Sequence, residues 1–216
     1  MANKNEREYR SMMLEIEQRA EGEEPQEERM VVSGYASTFD EPYKLWEDDM
    51  VEVWEKVDRA AFDETDMSDV IMQYDHQGRV FARIRNNTLT VSPDETGLFI
   101  SADLSGTDIG RSLYQEIAGG YTDRMSFGFT VDADTREIEE DRTNGKSIVT
   151  RTITKVGKLY DVSAVSLPAN PGTSISARFL DGAIEEARAE RLKAQELAEK
   201  RDEIMKRAEA LGKVEA

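Results

Sequence analysis

The sequence predicts an α+β fold: a small, mainly antiparallel β-barrel flanked by helices, followed by a long C-terminal helix. Three observations carry this. From Met30 to Leu180 the chain runs mostly in short β-rich segments, several of them alternating apolar and polar side chains. A single strongly marked helix, Asp108 to Ala118, interrupts them. From Leu180 to Gly212 there is no proline, and Ala, Glu, Lys, Arg and Leu predominate, which are the strongest helix formers. Many short strands with few helices bury their apolar faces most simply by closing on themselves. A chain of 216 residues allows one domain plus appendages, here an acidic N-terminal segment (1–29), a β domain (30–180) and a helical extension (181–216).

The elements follow in order. Arg10 to Ile16 reads as a brief strand or helix. Glu15 to Glu28 then holds seven glutamates and one arginine, with Gly22 and Pro25 as breakers, and such a stretch buries too little apolar surface to offset its chain entropy. Met30 to Ala36 is β-rich. Residues 58–70 offer a short helix. Arg79 to Ile84 alternates, placing Val80, Ala82 and Ile84 on one face, and Thr88 to Val91 follows an Asn86-Asn87 turn signal. Gly97 to Leu104 is the next strand. In the helix Asp108–Ala118, Ile109, Leu113 and Ile117 share a face, Thr107 or Asp108 caps the start, and Gly119-Gly120 stops it. Met125 to Val131 puts Met125, Phe127, Phe129 and Val131 on one face and Ser126, Gly128 and Thr130 on the other. Asn144-Gly145 joins Asp132–Asp141 to Ser147–Val156 as a hairpin, and Lys158 to Leu167 is the last strand. The terminal helix carries a seam of period near 3.5 through Leu180, Ala183, Ala187, Ala194, Leu197, Ile204, Ala208 and Leu211.

Composition excludes several kinds of chemistry. Lys and Arg total 28 against 45 Asp and Glu, a formal net charge of −17. A phosphate-binding groove needs a basic excess, so nucleic acid is not an expected partner. Cysteine is absent, which removes disulfides, thiolate metal sites and a cysteine nucleophile. The single histidine, His76, argues against an ordinary zinc site, and no metal or cofactor is expected. Apolar runs fall far short of the roughly 20 residues of a membrane span, and Met1 to Arg10 lacks a signal peptide's apolar core.

Three residues stand out as candidates for chemistry. His76, in Tyr74-Asp75-His76-Gln77-Gly78-Arg79, carries the side chain best suited to a general base near neutrality. Ser126 faces away from the bulky residues that flank it, and Gly128 leaves space on the same face for a substrate. Asp161, in Lys158-Leu159-Tyr160-Asp161-Val162-Ser163, sits in mid-strand, where Asp is disfavoured. Alternation groups it with Leu159 and Ser163. Asp75 and Asp103 compete as acids, although Asp75 should point away from its neighbour's ring. The loop Ser166 to Gly172 is stiffened by Pro168 and Pro171, and free N–H groups there could form an oxyanion hole.

These segments in this order resemble the prohead maturation proteases of tailed bacteriophages. The resemblance rests on Tyr74-Asp75-His76-Gln77-Gly78-Arg79, the Gly97-Leu98-Phe99-Ile100 strand and Gly119-Gly120. It continues in Met125-Ser126-Phe127-Gly128-Phe129, Leu159 to Val165 and Pro168-Ala169-Asn170-Pro171, covering roughly Val31 to Ile175. It implies a barrel like that of the herpesvirus assemblin proteases, with Ser126 as nucleophile and His76 as base. Asp161 takes the third position, where the family more often has Glu, and the backbone of Ala169 or Asn170 would hold the oxyanion. The implied partner is the major capsid protein with its scaffolding segment, inside the assembling prohead in the host bacterial cytoplasm, and the protease would also cut itself. The terminal helix, about 180–211, would pair with scaffold segments or self-associate. Two other classes compete: a non-enzymatic scaffolding protein, suggested by the acidic balance and the helical tail, and a metal-dependent nuclease using Asp75, His76 and Asp103.

Overall fold

In the computed structural model residues 7–13, 29–141, 145–166 and 177–212 are described. The fold is α+β and mostly β. Ten strands among these residues make two sheets: β1 (Glu8–Met13), β2 (Val31–Thr38), β3 (Tyr43–Glu47), β4 (Val51–Val57), β5 (Ile71–Tyr74), β6 (Gln77–Arg83), β7 (Leu89–Pro93), β8 (Gly97–Asp103), β9 (Arg124–Asp141) and β10 (Lys146–Val165). The helices are α1 (Asp108–Ala118) and α2 (Ala177–Gly212).

The larger sheet is seven-stranded, in the order β1-β9-β10-β4-β3, with the β5–β6 hairpin also joined to β10. β2, β8 and β7 form the second sheet. No strand is hydrogen-bonded into both sheets, and no closed barrel is found among the described residues. β9 and β10 are long antiparallel partners. One edge of β10 is shared between two parallel neighbours, β4 against Ser147–Ile153 and β5 against Asp161–Ala164. The sheets meet in one buried cluster, where Val32, Leu98 and Ile100 of the smaller sheet join Phe127, Phe129 and Val162 of the larger. Each such side chain contributes roughly 1.5–3 kcal/mol of burial.

The alternation of Met125 to Val131 has its expected physical origin: Phe127 and Phe129 are in the core and stack at 4.6 Å between ring centroids. α1 has its expected bounds, capped by Thr107, whose side chain accepts from the Gly110 N–H, and it buries Leu113 and Ile117. β1 settles the Arg10 region as strand. Several other expectations are corrected. Residues 58–70 form no helix. Their N–H groups bond three residues back (Ala61 to Asp58, Asp63 to Ala60, Thr65 to Phe62), and Asp66 then bonds across to Gly157 and ends the run. The turn signalled at Asn86-Asn87 is present: a 3₁₀ turn, Ile84–Asn86, with Asn87 at φ 59°, carries the chain from one sheet to the other. Val80 lies 41% exposed instead of on a buried face. The two strands expected after the Asn144-Gly145 turn are one, β10, interrupted by register shifts.

A second buried cluster, Leu45, Val51, Val53 and Val149, receives Ile184 and Ala187 of α2. Beyond this docking point the expected seam is not covered: Leu197 and Ile204 are 70% and 67% exposed. Asn144, the acidic stretch Glu15–Glu28, and Ala169 and Asn170 lie outside the described residues.

Candidate active site

Two strands and one turn bring the candidate residues together. Ser126 sits in β9 and pairs with Ser163 of β10, while Gly128 pairs with Asp161. Paired residues of adjacent strands share a face, so Ser126, Gly128, Asp161 and Ser163 lie on the face opposite Phe127 and Phe129. Leu159 does not join them, contrary to simple alternation. It pairs with Phe129, and the register shifts between Leu159 and Asp161. This bulge at Tyr160 gives two residues of β10 one partner on β9, which sends Leu159 into the core and turns Asp161 to the site. Bulges re-aim side chains in this way.

His76 arrives from the β5–β6 hairpin. Tyr74 pairs with Gln77, so Asp75 and His76 are the two central residues of the turn, at φ 48° and 57°. Two-residue hairpin loops need positive φ at these positions, and their backbone twist matches the flanking strands. Asp and His both tolerate such a φ better than most non-glycine residues. The turn is tied down from both sides. The Asp75 N–H donates to the Ala164 carbonyl at 2.9 Å, and its carboxylate accepts from the Ser166 N–H and hydroxyl, each at 2.9 Å. Asp75 therefore faces the end of β10 and not the imidazole.

The result is a continuous chain of short hydrogen bonds. His76 Nε2 lies 2.6 Å from Ser126 Oγ, and His76 Nδ1 lies 2.5 Å from Asp161 Oδ1. With a proton on Nδ1 shared with the Asp161 carboxylate, a neutral imidazole presents Nε2 as the acceptor for the serine hydroxyl. Ser163 Oγ donates to the same Asp161 oxygen at 2.9 Å. Ser126 and Ser163 have no exposed surface, Asp161 is 2% exposed, and the His76 side chain is 17% exposed. This is the geometry of a nucleophile, a base and an orienting acid.

Ser126, His76 and Asp161, the residues singled out from the sequence, are brought together by the structure. Asp103 is elsewhere: its carboxylate accepts from the hydroxyl and N–H of Ser105, and the Ser105 hydroxyl holds it below the usual carboxylate range. Among the described residues no group of three or more His, Asp or Glu could hold a metal ion, so the Asp75–His76–Asp103 constellation does not form. Gly128 has a role other than the one expected. A Cβ there would lie 2.5 Å from Asp161 Oδ2 and 2.8 Å from the Tyr9 ring, so the space beside Ser126 is filled by the acid and an aromatic side chain. Ser163 and Tyr9 were not legible as site residues. The only available signal for Ser163 was its spacing of two from Asp161.

β1 forms the outer edge of this site. Ser11 pairs with Ser126 and Tyr9 with Gly128. The strand is fastened on its other face by a buried ion cluster: Arg10 meets Glu55 through Nε and Nη2 at 2.5 and 2.8 Å. Arg151 reaches Glu55 at 3.0 Å and Glu8 at 2.7 Å, and the Tyr43 hydroxyl donates to Glu55 at 2.5 Å. Burial, the largest single influence, raises the Glu55 carboxyl; Arg10, Arg151 and the Tyr43 hydroxyl together outweigh it, and the carboxyl lies below its usual value. Burial first, and then the Glu55 charge, push the Tyr43 phenol well up.

The family model of the caudovirus prohead serine proteases matches residues 15–187. No curated protein and no solved structure matches the chain.

Proposed function

The chain belongs to the caudovirus prohead serine protease family, and we propose that it is a serine endopeptidase that cuts scaffolding segments from the capsid protein, and itself, inside the assembling prohead. The observation that carries this reading is the Asp161–His76–Ser126 hydrogen-bond chain at 2.5 and 2.6 Å.

The mechanism follows from those contacts. His76 Nε2 takes the Ser126 hydroxyl proton as Oγ attacks the peptide carbonyl. Asp161, held by Ser163, keeps the imidazole in the required tautomer and stabilises the imidazolium. His76 then delivers the proton to the leaving amine, and water hydrolyses the acyl-enzyme by the reverse transfer. The oxyanion is assigned, by its place after β10, to the backbone of Ala169 or Asn170. Asp75 supports this arrangement by tying Ser166, where that loop begins, to the turn that carries the base. Ser126 has no exposed surface, so a polypeptide reaches it only after a neighbouring segment moves. The acidic N-terminal stretch and the exposed part of α2 are assigned to targeting, α2 through helical pairing with scaffold or a second copy.

The test is co-expression with the capsid protein. A size shift of the capsid protein is expected with the unaltered chain and not with Ser126→Ala or His76→Ala. Normal processing by a folded Ser126→Ala chain would refute the assignment. Deleting residues 182–216 tests the targeting role; unchanged packaging into proheads would remove it.

A further inference from the structure

Tyr9 is the nearest aromatic neighbour of the candidate base. Its ring centroid lies 4.3 Å from that of His76, with the planes inclined at 57°. The same ring lies over Gly128, whose hydrogen is the only substituent that leaves room for both Tyr9 and Asp161. Tyr9 belongs to β1, paired with the nucleophile's own strand. Its neighbours Glu8 and Arg10 point to the opposite face and are locked in the buried ion cluster with Glu55 and Arg151. Arg7 closes the arrangement over the Tyr160 ring, 3.7 Å from its centroid, at the bulge that turns Asp161. The contacts of β1 therefore converge on one ring held against one imidazole.

We infer that Tyr9 is a positioning residue for the protease reaction: its ring fixes the plane of the His76 imidazole so that Nε2 and Nδ1 stay aligned on Ser126 and Asp161. This rests on the proposed serine protease mechanism. The hairpin turn sets where His76 begins, but the imidazole can still rotate about its side-chain bonds. Two hydrogen bonds hold its edges, and one of them must break and re-form as the proton moves. An aromatic ring in tilted contact with the imidazole, 4.3 Å between centroids, restrains that rotation throughout the cycle. It also makes the site depend on a segment far away in sequence, since 117 positions separate Tyr9 from Ser126.

The test uses the full chain with Tyr9→Leu and Tyr9→Phe, and two readouts. The first is the rate at which a fluorophosphonate probe labels Ser126. The second is the proton NMR signal of the imidazole, unambiguous because His76 is the only histidine. Tyr9→Leu is expected to slow labelling roughly tenfold, the scale of one aromatic pair, and to shift the imidazole resonances while melting remains cooperative. Tyr9→Phe keeps the ring and is expected to recover most of both. Tyr9→Met replaces Tyr9→Leu if the latter does not fold. The inference is overturned by imidazole resonances unchanged in Tyr9→Leu, by unchanged labelling, or by Tyr9→Phe being as slow as Tyr9→Leu. Faster labelling would also overturn it, because the ring would then be a cover over Ser126. Labelling that persists in Ser126→Ala would defeat the protease mechanism instead, and the NMR signal, which needs no catalysis, would still decide whether the ring holds the imidazole.

Discussion

Gly128→Ala perturbs the site through a single methyl group. That carbon would stand 2.5 Å from Asp161 Oδ2, where ordinary contact begins at 3.4 Å, so the carboxylate must retreat by about 0.9 Å. The Tyr9 ring, 2.8 Å away on the other side, blocks the methyl from moving outward. Carried over to Oδ1, a retreat of that size stretches its 2.5 Å bond to His76 Nδ1 to about 3.4 Å, past the 2.7–3.2 Å of a well-formed hydrogen bond, and strains the bond from Ser163. Misplacing a reacting group by about 1 Å costs on the order of 10²-fold in rate, and overpacking costs about 1–3 kcal/mol in stability. Fluorophosphonate labelling of Ser126 is therefore expected to slow by about 10²-fold relative to the unaltered chain, in a protein that still melts cooperatively. Placing Gly128→Ala in an Asp161→Ala background identifies the route. If the methyl acts by displacing the carboxylate, removing the carboxylate first makes the second substitution nearly silent in rate. A folded Gly128→Ala chain labelled at the full rate would refute the claim that the Asp161–His76 contact governs the base.

Four further outcomes follow from the contacts of the site and of the ion cluster beneath β1. Asp161→Asn is expected to reduce cleavage of the capsid protein by several orders of magnitude, whereas Asp103→Asn, which affects only a turn at Ser105, leaves it intact; gel densitometry separates the two. Removing one partner of the buried ion cluster, as in Glu55→Ala, is expected to cost about 3–5 kcal/mol in denaturant unfolding, because Arg10 and Arg151 lose their shared counter-charge. The Glu55 carboxyl is depressed in the folded state, so its stabilisation is complete above its unfolded value near 4.5. It is lost as pH falls through the lower folded value; a Glu55→Gln chain should show a flatter acid limb in a stability–pH curve. Asp75→Ala puts a residue ill suited to positive φ into the turn and frees Ser166. It is expected to slow labelling about tenfold, with Asp75→Asn recovering most of the rate because Asn tolerates that φ and still accepts from the Ser166 N–H.

Much of the site was legible because its residues are unusual for where they stand. A sole histidine just before a strand, a serine between the core residues Met125 and Phe127 and an aspartate in mid-strand are each unusual where they stand, and residues that break a local rule are where function is looked for first. α1 was legible to its bounds because its cap, apolar face and stop signal agree. The errors arose where tertiary contacts override local pattern. Leu159 and Asp161 are two apart and alternate perfectly, but the bulge at Tyr160 sends them to opposite faces, and no feature of that segment announces it. Residues 58–70 have helical composition, yet Asp66 finds the Gly157 carbonyl in a distant strand and the turns stop there. β3 and β4 went unassigned although Val51, Val53 and Val57 alternate with Glu52, Trp54 and Lys56. The break in that pattern, Glu55, is fully buried, and its two arginine partners come from β1 and β10. Its burial cannot be read from residues 51–57 alone.

β10 explains why distant segments of chain meet at one point. Over its first half it pairs with β4 and over its second with β5, while β9 runs along its other side. The shift from β4 to β5 brings the His76 turn to the end of β10 that carries Asp161 and Ser163. The bulge at Tyr160 then sets those side chains facing the turn, and the antiparallel register puts Ser126 opposite Ser163. His76, Asp161 and Ser126 are thus fixed by backbone pairing to a single strand, and only the imidazole's rotation is left to side-chain contacts. That division accounts for the tight packing at Gly128: the backbone lattice sets positions to within a residue, and the remaining fraction of an ångström depends on an absent Cβ and on the ring of Tyr9.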